Sequence, residues 1–397
     1  MKQQTLVLNI QQIVKLFVQV RVLPLTIVLK IVLVWKESLK IKYFYRKKII
    51  MSLFDIFKRK QIQKIKFDNE TLRIAVQSWL ADYKKAIKTY GHITKWDTSN
   101  VTNMSGMFTN SSNFNQPIGN WDVSNVTDMK DMFFGATSFN QDIGNWDVKN
   151  VINMSSMFSC ALKFNKPLNR WNVSNVNNMS DMFLTTTFNQ PIGNWDVSNV
   201  TDMNGMFLGA KKFNKPTNKW NVSNVTDMSA MFNNSAFNQP IGNWNVNNVT
   251  DMSGMFTNNS NFNQPIGNWN VSNVTDMNLM FAHTNFNQPI GKWNVSNVTD
   301  MNTMFSDANF NQPIGNWDVS NVTDMNEMFY KSAFNQPIGN WNVNNVTDMN
   351  EMFNNNSNFN QPIGNWNVSN VTTCNDFSNN LQWTEPQPKF TNCDTND

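Results

Sequence analysis

Eight aspartates recur at one fixed place along the chain: Asp128, Asp202, Asp227, Asp251, Asp276, Asp300, Asp324 and Asp348. A row of carboxylates could bind calcium. Calcium, however, takes about six to eight oxygens converging on one point. One carboxylate per interval, with no Gly-Gly-x-Gly-x-Asp loop, falls short of that. The spacing points instead to side chains that accept hydrogen bonds from backbone N–H groups in a local turn. The two histidines, His92 and His283, stand far apart, and no Ser or Cys has a partner at nucleophile spacing. No Gly-rich phosphate loop occurs either. A catalytic site breaks the symmetry of a repeat, whereas the carboxylates here recur coil after coil. The expectation is therefore no enzyme, no metal and no cofactor.

The cysteines, Cys160, Cys374 and Cys393, form no spaced metal motif and no disulfide framework. A Cys374–Cys393 bridge would need an oxidising compartment. It is disfavoured because Cys374 occupies what reads as a core position.

Those positions belong to a repeat. Tryptophans fall at 96, 121, 146, 171, 195, 220, 244, 269, 293, 317, 341 and 366, always 24 or 25 residues apart. A fixed period in this range marks stacked supersecondary units. One coil reads W-[DN]-V-S-N-V-T-D-M-x-x-M-F, a short variable stretch, then F-N-Q-P-I-G-N. From that second Phe to the next Trp the distance is seven in every coil, so all length variation lies in the variable stretch. That stretch is the surface loop, and everything else must stay in register.

The apolar set of one coil is Ile118, Trp121, Val123, Val126, Met129, Met132, Phe133 and Phe139. The offsets I-x-x-W-x-V predict a short parallel strand with Trp and Val inward and the intervening Asp or Asn outward. The three-residue spacing of Val126, Met129 and Met132 suits a 3₁₀ or irregular return. Gly119, Gly144, Gly193 and Gly242, replaced by Asn169 and Asn218 in two coils, predict a left-handed corner. The Asn before the second Val is present in all twelve coils, from Asn100 to Asn370. We read it as a half-buried ladder bridging backbone groups between coils. Many of these asparagines are formal glycosylation sequons, which weighs against a eukaryotic secretory route.

The motif W-[DN]-V-S-N-V-T-[DN]-M-x-x-M-F…F-N-Q-P-I, recurring over residues 96–373, resembles the BspA-type leucine-rich-repeat surface proteins. The resemblance implies a leucine-rich-repeat-like solenoid, display on the cell surface, and a role in adhesion or protein binding. It brings no catalytic residues. This chain departs from the pattern in lacking a clear export signal or a lipoprotein cysteine near its start.

The flanks differ from the repeat. Residues 1–66 hold fifteen Lys or Arg against Glu37 and Asp55, a net charge of +13 that leaves −9 on the rest of the chain. A nucleic-acid reader would carry a basic stripe along its working face, so no nucleic-acid partner is expected of this body. Leu16 to Trp35 is long and apolar, but Arg21, Pro24 and Lys30 interrupt it, and each central charge costs about 2.5–3.5 kcal/mol on the insertion scale. Membrane contact is expected only through residues 1–50. Met51 opens the stretch MSLFDIFKRK and reads as an alternative initiator, which would place the basic segment outside the mature protein.

From Glu70 to Tyr90 the apolar residues keep helical spacing, with Asp68 or Asn69 as N-cap and Gly91 as stop. Ile93 to Trp96 is expected to open the first strand. The domain reading is a basic segment at 1–66, a helical cap at 67–95, a repeat solenoid at 96–373, and a degenerate cap with polar tail at 374–397.

The expected function is non-catalytic binding of a protein partner through an extended face. The candidate residues are Asp97, Asp122, Asp147, Asn172, Asp196, Asn221, Asn245, Asn270, Asn294, Asp318, Asn342 and Asn367, with Lys149 in the neighbouring Ser row. The alternatives are a structural or self-assembling surface protein, and an exposed Trp column that binds glycans.

Overall fold

The computed structural model describes residues 65–395. The expectations for the basic segment and for Met51 lie outside the described residues. Among the described residues no helix is long and apolar enough to cross a membrane.

The chain enters through two helices. Helix α1 (Asn69–Ala81) is capped by Asp68, whose side chain accepts from Thr71 N, while the Thr71 hydroxyl accepts from Asp68 N. Helix α2 (Tyr83–Tyr90) follows after one residue. The single helix expected over 70–90 is thus broken at Asp82, whose carboxylate accepts from Lys84 N at 3.0 Å and Lys85 N at 3.1 Å. An Asp in the middle of a helical pattern competes for backbone donors in this way. Gly91 ends α2 at φ +75°. Ile93–Lys95 forms one 3₁₀ turn rather than the start of a strand.

From Trp96 onward the coils stack in register, but the backbone ladder is not where the Trp-x-Val spacing put it. Successive coils are joined by isolated parallel bridges at the Asp row, for example Asp128 with Asn103 and Asn153, and on to Asp348 with Thr373. Around Trp121 the amides are used within the coil: Trp121 N donates to Ile118 O and Val126 N to Val123 O. No backbone hydrogen bond leads from the amides of residues 121–126 to a neighbouring coil.

From Met129 to Ala136 the amides fall mainly into two sets, after Thr127 N has bonded Thr102 O of the preceding coil. Met129, Asp131, Phe133 and Gly135 donate to Asn153, Ser155, Met157 and Ser159 of the next coil, at 2.8–3.0 Å. Met132, Phe134 and Ala136 donate back to Met129, Asp131 and Phe133 of their own coil. The result is a column of consecutive turns in which these buried amides are paired. Asp131 (φ +55°) and Gly135 (φ +65°) occupy the third turn positions, which type II geometry requires to be left-handed. Their equivalents recur in coil after coil, and many are not glycine: Ser156, Thr185, Ala230, Leu279, Thr303, Glu327 and Lys331 all have φ near +50° to +59°.

The corner glycines are a second correction. Gly119, Gly144 and Gly193 are absent from the left-handed region, as are Asn169 and Asn218. In the coils that carry it, glycine admits a close approach of the next coil, while Asn169 and Asn218 take the same place in two coils. A Cβ on Gly193 would lie 2.4 Å from the carbonyl oxygen of Pro216 in the next coil.

The core is one continuous column of side chains. Trp121, Val123, Val126, Met129, Met132, Phe133 and Phe139 are all buried, as are their equivalents. Phe133 and Phe139 stack at 3.9 Å within a coil, and Phe133 meets Phe158 of the next at 5.6 Å. Both ends of the column are covered. At the first coil Phe67 and Trp79 pack on Trp96 at 5.1 and 5.9 Å. Asn69 Oδ1 accepts from Thr102 N and Asn103 N there. At the last coil Trp383 packs edge-on against Phe353 and Phe359. The disfavoured disulfide is present: Cys374, fully buried, is bonded to Cys393. The tail folds back to lie beside the core position, which the sequence distance of 19 residues did not reveal.

Candidate binding face

The outward row is built by a two-residue turn repeated along the stack. Between buried Trp121 and buried Val123, Asp122 faces solvent, and its Oδ1 accepts from Ser124 N at 3.0 Å and Ser124 Oγ at 2.6 Å. The same bond from the residue two places on is made to Asp97, Asp147, Asn172, Asp196, Asn221, Asn245, Asn270, Asn294, Asp318, Asn342 and Asn367, at 3.1–3.4 Å. Eleven of the twelve are exposed and Asp97 is half-buried. One oxygen of each is thus engaged with the backbone, which fixes the side chain's direction.

Two carboxylates of this row, Asp147 and Asp318, are favoured by nearby donors. The Lys149 ammonium, 2.8 Å from Asp147 Oδ2, holds the Asp147 carboxyl below its ordinary value. The hydroxyl and amide of Ser320 lower Asp318.

Register is held by side chains that bridge coils. Asn125 Nδ2 donates to Ser99 O at 2.8 Å, Asn224 Nδ2 to Ser198 O at 2.7 Å, and Asn370 Nδ2 to Asn344 O at 2.7 Å. The ladder read from the sequence therefore bridges backbone groups, but its asparagines are exposed, not half-buried. The indoles bridge as well: Trp146 Nε1 donates to Ile118 O and Trp195 Nε1 to Leu168 O. The Trp column is buried throughout, which removes it as an exposed glycan platform.

A further ladder was missed. In F-N-Q the Asn side chain accepts from the next coil, as Asn115 Oδ1 does from Asn140 N at 3.0 Å and Gln141 Nε2 at 2.9 Å. Its signal was the recurrence of N-Q itself, which apolar patterning ignores.

The second carboxylate row lies on the bridged run, half-buried. Asp227 Oδ1 accepts from Ser229 N and Oγ, and Asp276 Oδ1 from Asn278 N. Burial raises the carboxyls of Asp202, Asp276 and Asp324 from their ordinary value; the backbone N–H of Asn204, Asn278 and Asn326 opposes it, and neighbouring aspartates of the row add to it. Among the described residues no group of three or more His, Cys, Asp or Glu is placed to hold a metal ion.

The loops depart from uniformity in the later coils. His283 Nδ1 lies 3.2 Å from Asp307 Oδ2, and Lys331 sits over the Tyr330 ring at 4.8 Å. A cleft of about 510 Å³ lies in the C-terminal cap, lined by Phe377, Gln387, Phe390 and Thr395 among others.

A family model described as "Mycoplasma protein of unknown function, DUF285" matches residues 77–187, 168–249, 233–332 and 306–389. These four successive matches span most of the chain, and the chain belongs to this family of repeat proteins. No curated protein matches it.

Proposed function

We propose that this member of the DUF285 family is a non-catalytic binding module that engages a protein partner through the row from Asp97 to Asn367. The observation that carries the reading is the fixed presentation of that row. Each side chain is held by its own turn, and each turn is held in register by a bridging Asn and a bridging Trp. Extended uniform faces of this kind are what stacked repeats use for binding. The I-x-x-W-x-V spacing and the coil motif support kinship with the BspA-type leucine-rich-repeat surface proteins, and with it adhesion at a cell surface. A structural, self-assembling role would need coil edges free to stack end to end. The cover given by Phe67 and Trp79 at one end and Trp383 at the other favours the binding reading.

The test is removal of whole coils in register, followed by binding to intact cells and to isolated surface proteins. Affinity that falls stepwise with coil number supports many equal contacts, and abrupt loss with one coil locates a specific contact. Unchanged binding by a chain whose outward Asp and Asn are all replaced by Ser overturns the assignment of this face.

A further inference from the structure

We propose that a second site, on the flank of the coil between the second Phe and the next Trp, binds a sulfated polysaccharide through Lys163, Lys166, Arg170, Lys212, Lys215 and Lys219. It lies on a different stretch of the coil from the Asp122 row and stands independently of the function proposed for that row.

The sequence breaks its own pattern here. Eleven Phe-to-Trp stretches occur, and nine read F-N-Q-P-I-G-N or differ from it at one residue. The other two read F-N-K-P-L-N-R at 164–170 and F-N-K-P-T-N-K at 213–219, and each is preceded by a lysine. The same four places change together in both: Gln becomes Lys, Ile becomes Leu168 or Thr217, Gly becomes Asn, and the last Asn becomes Arg170 or Lys219. Of nineteen Asp and Glu in residues 96–373, only Asp142 falls in any of these eleven stretches. Its Oδ1 accepts from Gly144 N. Acids are thus nearly absent from the flank: Asp142, in the coil just before Lys166, is the one carboxylate in these stretches, and it forms no ion pair with the cations.

The two altered coils are separated by one ordinary coil, and the stack keeps all three in register. Phe164, Phe188 and Phe213 follow one another at 6.1 and 6.3 Å. Gln190 Nε2 bonds Asn165 Oδ1 at 3.0 Å, and Asn194 Nδ2 bonds Asn169 O at 2.8 Å. Gln190 therefore lies in the row between Lys166 and Lys215, and Asn194 between Arg170 and Lys219. Two steps of the inter-coil spacing set the paired cations roughly 10 Å apart along the stack. Lys163, Arg170, Lys212 and Lys219 are exposed, and Lys166 and Lys215 are half-buried. The ion pairs among the described residues are Lys149–Asp147 and His283–Asp307, so no carboxylate contact neutralises these cations. Arg170 Nη1 is steadied by Asn145 Oδ1 at 3.0 Å, and neighbouring Lys211 bonds Asn234.

The chemistry of the flank selects the ligand. Bases need aromatic faces on which to stack, and Phe164, Trp171, Phe213 and Trp220 are all buried. Protein hot spots centre on Trp, Tyr and Arg; here Arg170 is a single arginine among lysines, and the large apolar side chain exposed beside these cations is Leu162. What the flank offers is ammonium, guanidinium and amide donors at a regular interval. Sulfate groups and hydroxyls spaced along a linear polysaccharide match that set.

The test uses the full chain and a heparin-derived decasaccharide at near-physiological ionic strength. One variant restores the ordinary coil residues: Lys166→Gln, Arg170→Asn, Lys215→Gln and Lys219→Asn, with Lys163→Thr and Lys212→Thr after Thr187. These residues already occur in neighbouring coils, so folding is preserved, and circular dichroism checks it. The expected result is a loss of affinity of roughly tenfold or more, with a shallower dependence on salt. A second variant, with Lys47, Lys48, Lys58, Arg59, Lys60 and Lys64 changed to Gln, controls for the basic segment and should keep most of the affinity. Equal binding by the first variant and the parent, or loss confined to the second, overturns the site. Poly-aspartate and single-stranded DNA of matched charge should bind at least roughly tenfold more weakly than the decasaccharide. Equal binding of all three overturns the polysaccharide assignment.

Discussion

Trp220 donates its indole N–H to the carbonyl of Ile192, 3.1 Å away in the preceding coil, while its ring stacks on Trp244 at 6.3 Å in the following one. One side chain therefore ties three coils. Trp220→Ala should cost about 3–5 kcal/mol, as large core truncations do. Trp220→Phe keeps an aromatic ring but leaves the Ile192 carbonyl without this donor, and should cost about 1–3 kcal/mol. Chemical denaturation followed by the fluorescence of the remaining tryptophans measures both.

Asn224 bonds Ser198 O at 2.7 Å from an exposed position. Because water can replace the lost partner, Asn224→Ala should cost only about 0.5–1.5 kcal/mol. A loss near zero would make the Asn row a solvated decoration.

Leu279 sits at φ +59° and is 38% exposed. Left-handed backbone costs a branched residue about 1–2 kcal/mol, and Asn tolerates it better. Leu279→Asn should therefore stabilise the protein by about 0.5–1 kcal/mol, read as a rise in denaturation midpoint. A fall would show that Leu279 contributes packing that outweighs its conformation.

The raised carboxyls of Asp202, Asp276 and Asp324 have a defined sign. When the folded state holds a proton more tightly than the unfolded chain, stability falls as pH rises from the ordinary carboxylate value through the raised one. Changing all three to Asn, which already occupies this row at Asn153 and Asn178, should raise stability at neutral pH. The gain should shrink on acidification. Equal gain at both ends of the titration would mean that charge in this row is immaterial.

Cys374–Cys393 closes the C-terminal cap. Cys393→Ser should loosen residues 378–395 by about 3 kcal/mol, as expected for a loop of this length. Limited proteolysis should then cut the tail first and leave the earlier coils intact. Simultaneous digestion of the whole stack would show that the cap governs global stability.

Much of the coil was legible because it follows from apolar spacing and recurrence. Trp121 and Val123 point inward, Asp122 points outward, and Asn125 bridges coils, as their types and positions suggest. Gly91 stops α2 for the conformational reason foreseen. The position of the ladder was not legible. Whether a run pairs with its neighbour depends on which amides its own turns consume, and Trp121 N and Val126 N are spent locally. Nor could Leu279, Thr303 or Glu327 be read as left-handed, since tertiary register overrides their local preference. Asp82 could have been recognised as a second N-cap, but the helical spacing on either side concealed it. The cations of the Phe-to-Trp flank were visible as letters. Only stacking brings Lys166 and Lys215 into one row.

The alternation of amides between Met129 and Ala136 makes the coil a parity code. Adding one residue inside that run would exchange every donor aimed at the neighbour for one aimed inward, so single insertions there are forbidden. The stretch just before the second Phe escapes the rule, because its length can be absorbed by a backbone carbonyl or by a hydroxyl. Phe114 N finds Ser111 O in a long loop, and Phe188 N finds Thr186 Oγ1 in a short one. Lineages carrying this fold can therefore lengthen it only in whole coils, while tinkering freely at one seam. Reach is changed in quanta and local texture is changed by the letter.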